Sequence, residues 1–260
     1  MEILIPVLIC FGIAALCAII LTITSHFFSV KTDEKEAAIR DCLAGANCGA
    51  CGYSGCDGYA KALADGSCTK TNLCTPGGDA VAKQVSEILG VEAEDVEKVV
   101  AFISCNGNCN AVKSRYEYLG YKSCKIANMS YSGDKLCTYA CLGHGDCAKA
   151  CPKGAISVES GVAVVDPEKC IGCGLCVKTC PKGMVKLISA DAQYRVACSN
   201  HDKGIMTKKV CSNGCIGCGL CKKNCPEEAI IVENNLASID YSKCKGCGKC
   251  ATVCPVKCIH

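Results

Sequence analysis

The apolar positions of this 260-residue chain form one long run followed by short, interrupted segments. No charged residue occurs from Ile3 to Val30. As a helix, the roughly 26 residues from Ile3 to Phe28 would extend about 39 Å, enough to cross a hydrocarbon core of about 30 Å. The chain start lacks the basic residues of a signal peptide, and no small-residue cleavage site follows the run. We therefore predict a single transmembrane anchor over residues 1–30.

The segments after the anchor alternate between helical and strand-like patterns. Glycines and Ser54 bracket a predicted helix over 54–66, and Asp79 and Gly90 are the expected ends of a second one. Val96, Val99, Val100 and Ile103 are spaced as one helical stripe, so a further helix is expected over 92–103. The apolar runs at 155–158 and 229–232 predict short strands.

Cysteine changes this picture most, because it accounts for 30 of the 260 residues. Without the cysteines the apolar share falls from 50% to about 38%, and Trp is absent, so a large hydrocarbon core is not expected. Lys31, Lys35 and Arg40 follow the anchor and predict that the remaining chain is cytoplasmic. Disulfides are rare in that reducing compartment, which leaves metal centres to stabilise the fold.

Three cysteine runs share the spacing C-x2-C-x2-C-x3-C-P, which is typical of bacterial ferredoxins that bind [4Fe–4S] clusters. They comprise Cys170, Cys173, Cys176 and Cys180; Cys215, Cys218, Cys221 and Cys225; and Cys244, Cys247, Cys250 and Cys254. Zinc is the alternative, but zinc sites usually combine two distant pairs of ligands. A looser fourth run precedes them and also ends in Cys-Pro: Cys137, Cys141, Cys147 and Cys151.

Equal spacing marks an internal repeat, because Cys151 precedes Cys170 by the same interval as Cys225 precedes Cys244. In this run the fourth cysteine ligates the neighbouring cluster. Crossed ligation predicts a first set of Cys137, Cys141, Cys147 and Cys180, a second of Cys151, Cys170, Cys173 and Cys176, a third of Cys215, Cys218, Cys221 and Cys254, and a fourth of Cys225, Cys244, Cys247 and Cys250.

A different block lies near the anchor and predicts a fifth cluster, with zinc as the alternative. This proximal set consists of Cys48, Cys51, Cys56 and Cys74 in a glycine-rich segment. Cys105, Cys109 and Cys124 are candidates for a sixth cluster with one ligand from elsewhere, or else buried structural thiols. For Cys198 and Cys211 the sequence leaves both roles open, and it assigns no role to Cys258.

The predicted fold class is α+β. Six segments are expected: the anchor, 1–30; a small membrane-proximal [4Fe–4S] domain, 31–100; a cysteine-containing connector, 101–130; ferredoxin-like unit 1, 131–187; a linker, 188–209; and ferredoxin-like unit 2, 210–260.

Charge is divided unequally between the two halves. The whole chain carries +3, which argues against nucleic-acid binding, but residues 131–260 hold 17 basic and 11 acidic residues, a net of about +6. Small soluble ferredoxins tend to be acidic, so this half is expected to attract one electrostatically. A generic solvated surface and docking to anionic lipid are the alternatives.

The order of anchor, Cys48-x2-Cys51-x4-Cys56-x17-Cys74 block and ferredoxin repeats resembles the B subunit family of the Rnf complex, the membrane-bound ion-translocating ferredoxin:NAD oxidoreductase. The resemblance covers essentially the whole chain and is closest to the longer form of anaerobic bacteria such as clostridia. It implies a subunit of the cell membrane that takes electrons from reduced soluble ferredoxin. It also implies partners, namely membrane subunits and flavin- and NAD-binding subunits. The expanded run from Cys137 to Cys151 departs from the plain ferredoxin pattern.

Two other functions remain open from the sequence. One is a membrane-tethered polyferredoxin of a hydrogenase or formate dehydrogenase, and the other is a zinc-structured scaffold or assembly protein without redox activity. No base–nucleophile pair or open metal site points to a catalytic residue, so no stand-alone active site is predicted.

Overall fold

The computed structural model describes residues 4–27 and 34–260, which form helices and three separate two-stranded sheets. The helices in this part of the chain are α1 (Leu4–Phe27), α2 (Glu34–Cys42), α3 (Cys56–Ala64), α4 (Gly78–Leu89), α5 (Cys124–Met129), α6 (Asp146–Lys149), α7 (Leu175–Thr179), α8 (Gly204–Val210), α9 (Leu220–Lys223) and α10 (Lys249–Thr252). The strands are β1 (Val99–Ile103), β2 (Ile156–Glu159), β3 (Val162–Val165), β4 (Val185–Ser189), β5 (Ile230–Glu233) and β6 (Leu236–Ile239).

Helix α1 occupies the apolar run at the start of the chain. Its described apolar side chains are exposed, including Phe11 at 75% and Leu21 at 68%. Among the described residues, no helix is both long and apolar enough to qualify as a membrane span. Both ends of the predicted anchor, and Lys31, lie outside the described residues.

Helices α2, α3 and α4 pack into a small domain around a core of Ile39, Tyr59, Leu63 and Val85. Helix α3 falls within the predicted 54–66 helix, and α4 ends at Gly90 in the left-handed conformation, as expected of a helix stop. Asp79 lies in the first turn of α4 rather than at its cap. Its carboxylate accepts the Val96 amide at 2.9 Å and so binds the chain that follows the helix.

The prediction of a helix over residues 92–103 is wrong. Residues 92–98 have no regular structure, and Val99–Ile103 form β1, which pairs antiparallel with β4. The stripe spacing fits a helix, but the β-branched run Val99-Val100 followed by Phe102 and Ile103 also favours a strand. Pairing with β4, far along the chain, decides the outcome. As a result β1 crosses the predicted boundary at residue 100 and contributes to the sheet of unit 1.

The two ferredoxin-like units share one hairpin design. Strands β2 and β3 pair from Ile156↔Val165 to Glu159↔Val162, and β5 and β6 pair from Ile230↔Ile239 to Glu233↔Leu236. These strands confirm the runs predicted at 155–158 and 229–232. Next to each hairpin the same backbone hydrogen bond forms. The Asp166 amide donates to the Ala155 carbonyl at 2.8 Å, and the Asp240 amide donates to the Ala229 carbonyl at 2.7 Å. The repeat inferred from cysteine spacing is therefore also a repeat of local fold.

The small helical domain lies against unit 1. The Lys178 ammonium, on α7, donates a hydrogen bond to the Cys48 carbonyl at 2.8 Å. A Cβ built on Gly49 would lie 3.4 Å from the same nitrogen. The loop that carries the proximal set thus touches the helix that carries Cys176.

Candidate metal centres

Each ferredoxin-type run is shaped by a glycine just before a very short helix. Gly174, Gly219 and Gly248 have φ values of 70°, 73° and 75° and precede α7, α9 and α10. This left-handed turn places the third cysteine of the run in the first helical turn, buried, and the fourth after the helix end. Gly145, with φ 79°, does the same before α6 and Cys147, so the expanded run keeps the local design of the regular ones.

The second predicted set comes together as expected from the sequence. Cys151, Cys170, Cys173 and Cys176 line one cavity. Burial, and after it the neighbouring sulfurs of Cys173 and Cys170, raise the pKa of Cys176 to about 11. Four thiols around one buried space form a donor set that fits a cubane cluster.

The third predicted set also shares a cavity, which is lined by Cys215, Cys218, Cys221 and Cys254. Cys258 lines it as a fifth sulfur and lies 3.7 Å from the Cys254 sulfur. A hydrogen bond between Cys258 and Cys215 lowers the pKa of Cys215 and raises that of Cys258. Sequence spacing gave no indication of this extra thiol.

The first predicted set is not brought together as expected. Cys141, Cys147 and Cys180 line one cavity, but the fourth cysteine that lines it is Cys124. Burial, and after it the neighbouring sulfurs of Cys141, Cys124 and Cys180, raise the pKa of Cys147 to about 12. Cys137 lies elsewhere.

Asp146 fixes Cys124 over this cavity. Its carboxylate accepts the Ser123 hydroxyl at 2.7 Å and the Lys125 amide at 3.0 Å. Burial raises the pKa of Asp146, but these donors, with the Cys124 amide, outweigh it and hold the pKa below its ordinary value. The carboxylate thus stays charged and ties the start of α5 to α6.

Cys137 instead lines a different cavity, which Cys105, Cys198 and Cys211 also line. Burial raises the pKa of the Cys198 thiol to about 11 and also raises the pKa values of Cys137 and Cys211. Cys109, a candidate from the sequence, is exposed and does not line this cavity. A sequence signal existed, since the tripeptide Cys-Ser-Asn occurs at both 198–200 and 211–213.

The fourth set is the most open of the ferredoxin-type sites. Cys250 is buried, and burial and then the neighbouring sulfurs of Cys244 and Cys247 raise its pKa. Cys225 packs against the same core cluster as Cys250, while Cys247 is exposed.

In the proximal set Cys74 is buried, and Cys51 and Cys56 pack against the same core cluster. Burial raises the pKa of the Cys74 thiol, the amides of Ala44 and Gly77 lower it, and the charges of Cys56 and Cys48 raise it again. The Asn47 side chain accepts the Cys56 amide at 2.9 Å and closes the loop. Cys68 is a further buried thiol in this core and a charged neighbour of Tyr59, as is Cys51.

Backbone amides point at the cysteine sulfurs in a repeated pattern. In two runs the sulfur of the fourth cysteine accepts a hydrogen bond from the backbone amide four residues later. The Ala155 amide donates to the Cys151 sulfur at 3.3 Å, and the Met184 amide donates to the Cys180 sulfur at 3.4 Å. The Cys170 sulfur accepts the Ala101 amide of β1 at 3.3 Å. Such donors stabilise a thiolate, and hydrogen bonds to sulfur are one control of cluster potential.

A site for a single metal ion requires its ligand sulfurs to lie closer together than a cluster does. A tetrathiolate zinc site, with Zn–S bonds of about 2.3 Å, needs sulfurs about 3.8 Å apart. Within residues 4–27 and 34–260, no group of three or more His, Cys, Asp or Glu side chains is arranged to hold one metal ion.

Family models support the interpretation of the cysteine runs. Three models described as "4Fe-4S dicluster domain" match residues 137–184, 163–230 and 207–255. A further model, for an Fe-S cluster, matches residues 43–76, the segment of the proximal set.

Similar proteins cover most of this chain. The B subunit of the Na(+)-translocating ferredoxin:NAD(+) oxidoreductase complex of Acetobacterium woodii is 42% identical over 259 residues, 99% of this chain and 78% of that protein. The B subunit of the proton-translocating complex of Clostridium ljungdahlii is 42% identical over 231 residues, 88% of this chain and 81% of that protein.

A third relative is the B subunit of the ion-translocating oxidoreductase complex of Methanosarcina acetivorans, 39% identical over 233 residues, 89% of this chain and 88% of that protein. Identity at this level extends over the small helical domain and both ferredoxin-like units. This chain belongs to the family of B subunits of the Rnf complex, the ion-translocating ferredoxin:NAD(+) oxidoreductase.

Proposed function

We propose that this chain is the iron–sulfur electron-transfer subunit of an ion-translocating ferredoxin:NAD oxidoreductase, carrying electrons from reduced ferredoxin toward the membrane and flavin subunits and finally NAD. The observation that carries the proposal is the convergence of cysteine sets on separate buried cavities in a chain of this family. When bound there, [4Fe–4S] clusters accept and donate single electrons.

The protein's own contribution is to hold, bury and tune these centres. We propose five of them: the proximal set, the second, third and fourth sets as predicted, and the first set with Cys124 in place of Cys137. The short helices bury the third cysteine of each run, while amides such as those of Ala155 and Met184 donate to the sulfurs. These donors and the exclusion of water set the reduction potential, which spans roughly −700 to +450 mV among iron–sulfur proteins.

The proximal set is the proposed exit toward the membrane. It lies nearest in sequence to α1 and touches unit 1 through the Lys178–Cys48 hydrogen bond of 2.8 Å. Burial and then the nearby Cys48 raise the pKa of Cys173, a cysteine of the second set. The proximal and second sites are therefore adjacent, and no other chain is needed between them.

Unit 2 is the proposed entrance for electrons. The second cysteine of each run in unit 2, Cys218 or Cys247, is exposed. In unit 1 the second cysteine of the regular run, Cys173, is buried. Lys222 and Lys223 are exposed beside Cys221. A basic surface around accessible ligands suits an acidic electron carrier, since opposite charges speed encounter.

Helix α1 is the proposed membrane anchor, with residues 34–260 on the cytoplasmic side. The sequence has no charge from Ile3 to Val30. The Thr22 and Thr24 hydroxyls donate to carbonyls one turn earlier, Ala18 and Ile20, so these polar groups are satisfied within the helix. Retention of the full chain in membranes after alkaline carbonate extraction would support the anchor, and its release would contradict it.

Flavin, NAD and the ion path are proposed to belong to other subunits of the complex. The relatives are named for different ions, sodium in one and protons in another, so these names assign no ion to this chain.

The proposed direction is tested with Cys51→Ala in membranes that contain the whole complex. Reduced ferredoxin should still reduce the clusters of unit 2, while ferredoxin-dependent NAD reduction should be lost. Cys42→Ala is the matched control, because Cys42 packs against the same core but belongs to no set. Full NAD reduction by Cys51→Ala would refute the exit.

The entrance is tested by charge removal. Lys222→Gln with Lys223→Gln should slow the second-order reduction by ferredoxin and weaken its salt dependence. Lys61→Gln with Lys83→Gln removes the same charge from exposed positions on α3 and α4 and should change neither. Equal effects of the two double variants would refute unit 2 as the docking end.

A further inference from the structure

We propose that Cys258 is a positioning residue for electron transfer, whose buried S–H group donates to the sulfurs that hold the third-site cluster and raises the reduction potential of that cluster. The third site is the cavity lined by Cys215, Cys218, Cys221 and Cys254. The inference rests on the proposed electron-transfer function. It gives a role to the fifth cysteine on this cavity, which a four-ligand cluster does not need as a ligand.

Cys258 occupies a position that recurs in every ferredoxin-type run, four residues after the last cysteine. The corresponding residues in the other runs are Ala155, Met184 and Ala229. Met184 lines the cavity of the first site, Ala155 that of the second and Cys258 that of the third. The side chain at this position therefore borders the metal centre at three sites, and only at the third site does it carry a hydrogen-bond donor.

Backbone pairing fixes the place of Cys258. Its carbonyl accepts the Ala197 amide at 2.8 Å, and Arg195 and His260 exchange two backbone hydrogen bonds at 2.9 and 3.2 Å. Cys258 is only 1% exposed. Because the chain is paired here and the residue is buried, its thiol is kept from water and borders the cavity.

The Cys258 thiol contacts two predicted ligands of the third site. Its sulfur lies 3.7 Å from the Cys254 sulfur, and its hydrogen bond lowers the pKa of Cys215. Cysteines bind metal as thiolates and then carry no proton. Cys258 is therefore the donor when the site is loaded, and its single proton can be directed at either sulfur.

Such a donor favours the reduced state of the cluster. Reduction adds one negative charge to the cluster and its thiolates, which strengthens the hydrogen bonds that they accept. Hydrogen bonds to the sulfurs are one control of cluster potential. In the transfer itself the third-site cluster gains the one electron that its donor loses, Cys258 keeps its proton, and no bond is made or broken.

The two sites of unit 2 differ at this position. The fourth site has Ala229 where the third site has Cys258, and a methyl group offers no hydrogen bond. The thiol thus raises the potential of the third site by a contribution that the fourth site lacks. This difference favours movement of an electron from the fourth site to the third.

The test is an EPR-monitored redox titration of the full-length chain, purified anaerobically in detergent after iron and sulfide reconstitution. Cys258→Ala and Cys258→Val remove the donor, and Cys258→Ser keeps one. Cys109→Ala is the control, because Cys109 is exposed and does not line this cavity. Cys218→Ser removes a predicted ligand and identifies the third-site signal by difference. Iron, acid-labile sulfide and zinc are measured in every sample.

Cys258→Ala should keep the iron content of the wild type. At a fixed potential, the ratio of reduced to oxidised third-site cluster should fall about three- to tenfold, a downward shift of about 30–60 mV for one electron. Cys258→Val fills more of the same space and should show the same fall, so it decides the test if Cys258→Ala does not fold. Cys258→Ser should lie closer to the wild type than either, and Cys109→Ala should match the wild type.

Loss of about four irons from Cys258→Ala would make Cys258 a ligand and overturn its role as a donor. A third-site potential that is unchanged or higher in the donor-free variants, with the cluster retained, would also overturn it and leave the electron-transfer function standing. Zinc in place of iron in the wild type would overturn the electron-transfer function, and the role of Cys258 with it.

Discussion

Substitution of Gly172 by alanine examines how closely β1 lies against the loop that carries the second set. Gly172 has φ +65°, and a Cβ at this position would lie 2.6 Å from the Val99 carbonyl oxygen and 2.9 Å from the Val99 Cγ2 atom. Two residues before it, the Cys170 sulfur accepts the Ala101 amide of the same strand at 3.3 Å. Any retreat of β1 from the new methyl group also stretches this bond to sulfur.

The magnitude follows from a comparison within unit 1. Gly183 has nearly the same φ, +63°, but a Cβ there would meet no atom within 4 Å. Alanine at either position costs about 1–2 kcal/mol for its left-handed backbone. At Gly172 the carbonyl must also move to ordinary contact, and such overpacking adds about 1–3 kcal/mol. That difference corresponds to a roughly 5- to 150-fold change in a rate.

The assay is the rate of cluster loss under anaerobic conditions. Full-length wild type, Gly172→Ala and Gly183→Ala are mixed with guanidinium and an iron chelator, and the decay of the visible iron–sulfur absorbance is recorded. The Gly172→Ala protein should lose its second-site cluster at least several-fold faster than Gly183→Ala. Equal decay of the two variants would show that β1 does not press on this loop, and the placement of the strand would be refuted.

Other substitutions are expected to act through single contacts. Tyr59→Phe removes a hydroxyl that donates to the Lys70 carbonyl at 2.7 Å and should lower the guanidinium unfolding free energy by about 1 kcal/mol; an unchanged midpoint would contradict this. Ile39→Ala opens the fully buried centre of the small helical domain and should cost about 2–5 kcal/mol in the same assay. Lys182→Met removes a positive charge near Cys180 and should lower the potential of the first-site cluster by about 50–100 mV in an EPR-monitored titration, for an effective dielectric constant of about 20; a rise in potential would refute the electrostatic argument.

Local spacing predicted those parts of the protein in which neighbours in sequence are also neighbours in space. The second and third sets, the hairpins at β2–β3 and β5–β6, and the Gly90 stop of α4 are of this kind. The two sets and the two hairpins depend on a repeat that occurs twice in the chain, and the end of α4 depends on a left-handed glycine.

The features that the sequence did not predict depend on contacts between segments that are distant along the chain. Cys124 and Cys137 exchange the places that spacing alone would give them, because Asp146 draws the start of α5 over the first site. The segment 99–103 is a strand because β4 is available to pair with it. Cys198 and Cys211 had no partner in the sequence pattern, since the cysteines that face them come from other stretches of chain.

The pairing of β1 with β4 also has a consequence for synthesis of the protein. Ile103 pairs with Val185, so at about 5–20 residues per second the ribosome needs about 4–16 s to supply the partner of a strand it has already released. During that interval Cys105, Cys124 and the run from Cys137 to Cys151 have emerged without Cys180, Cys198 or Cys211. Loading of the first site therefore has to follow translation of Cys180, and its thiols need protection from oxidants until then.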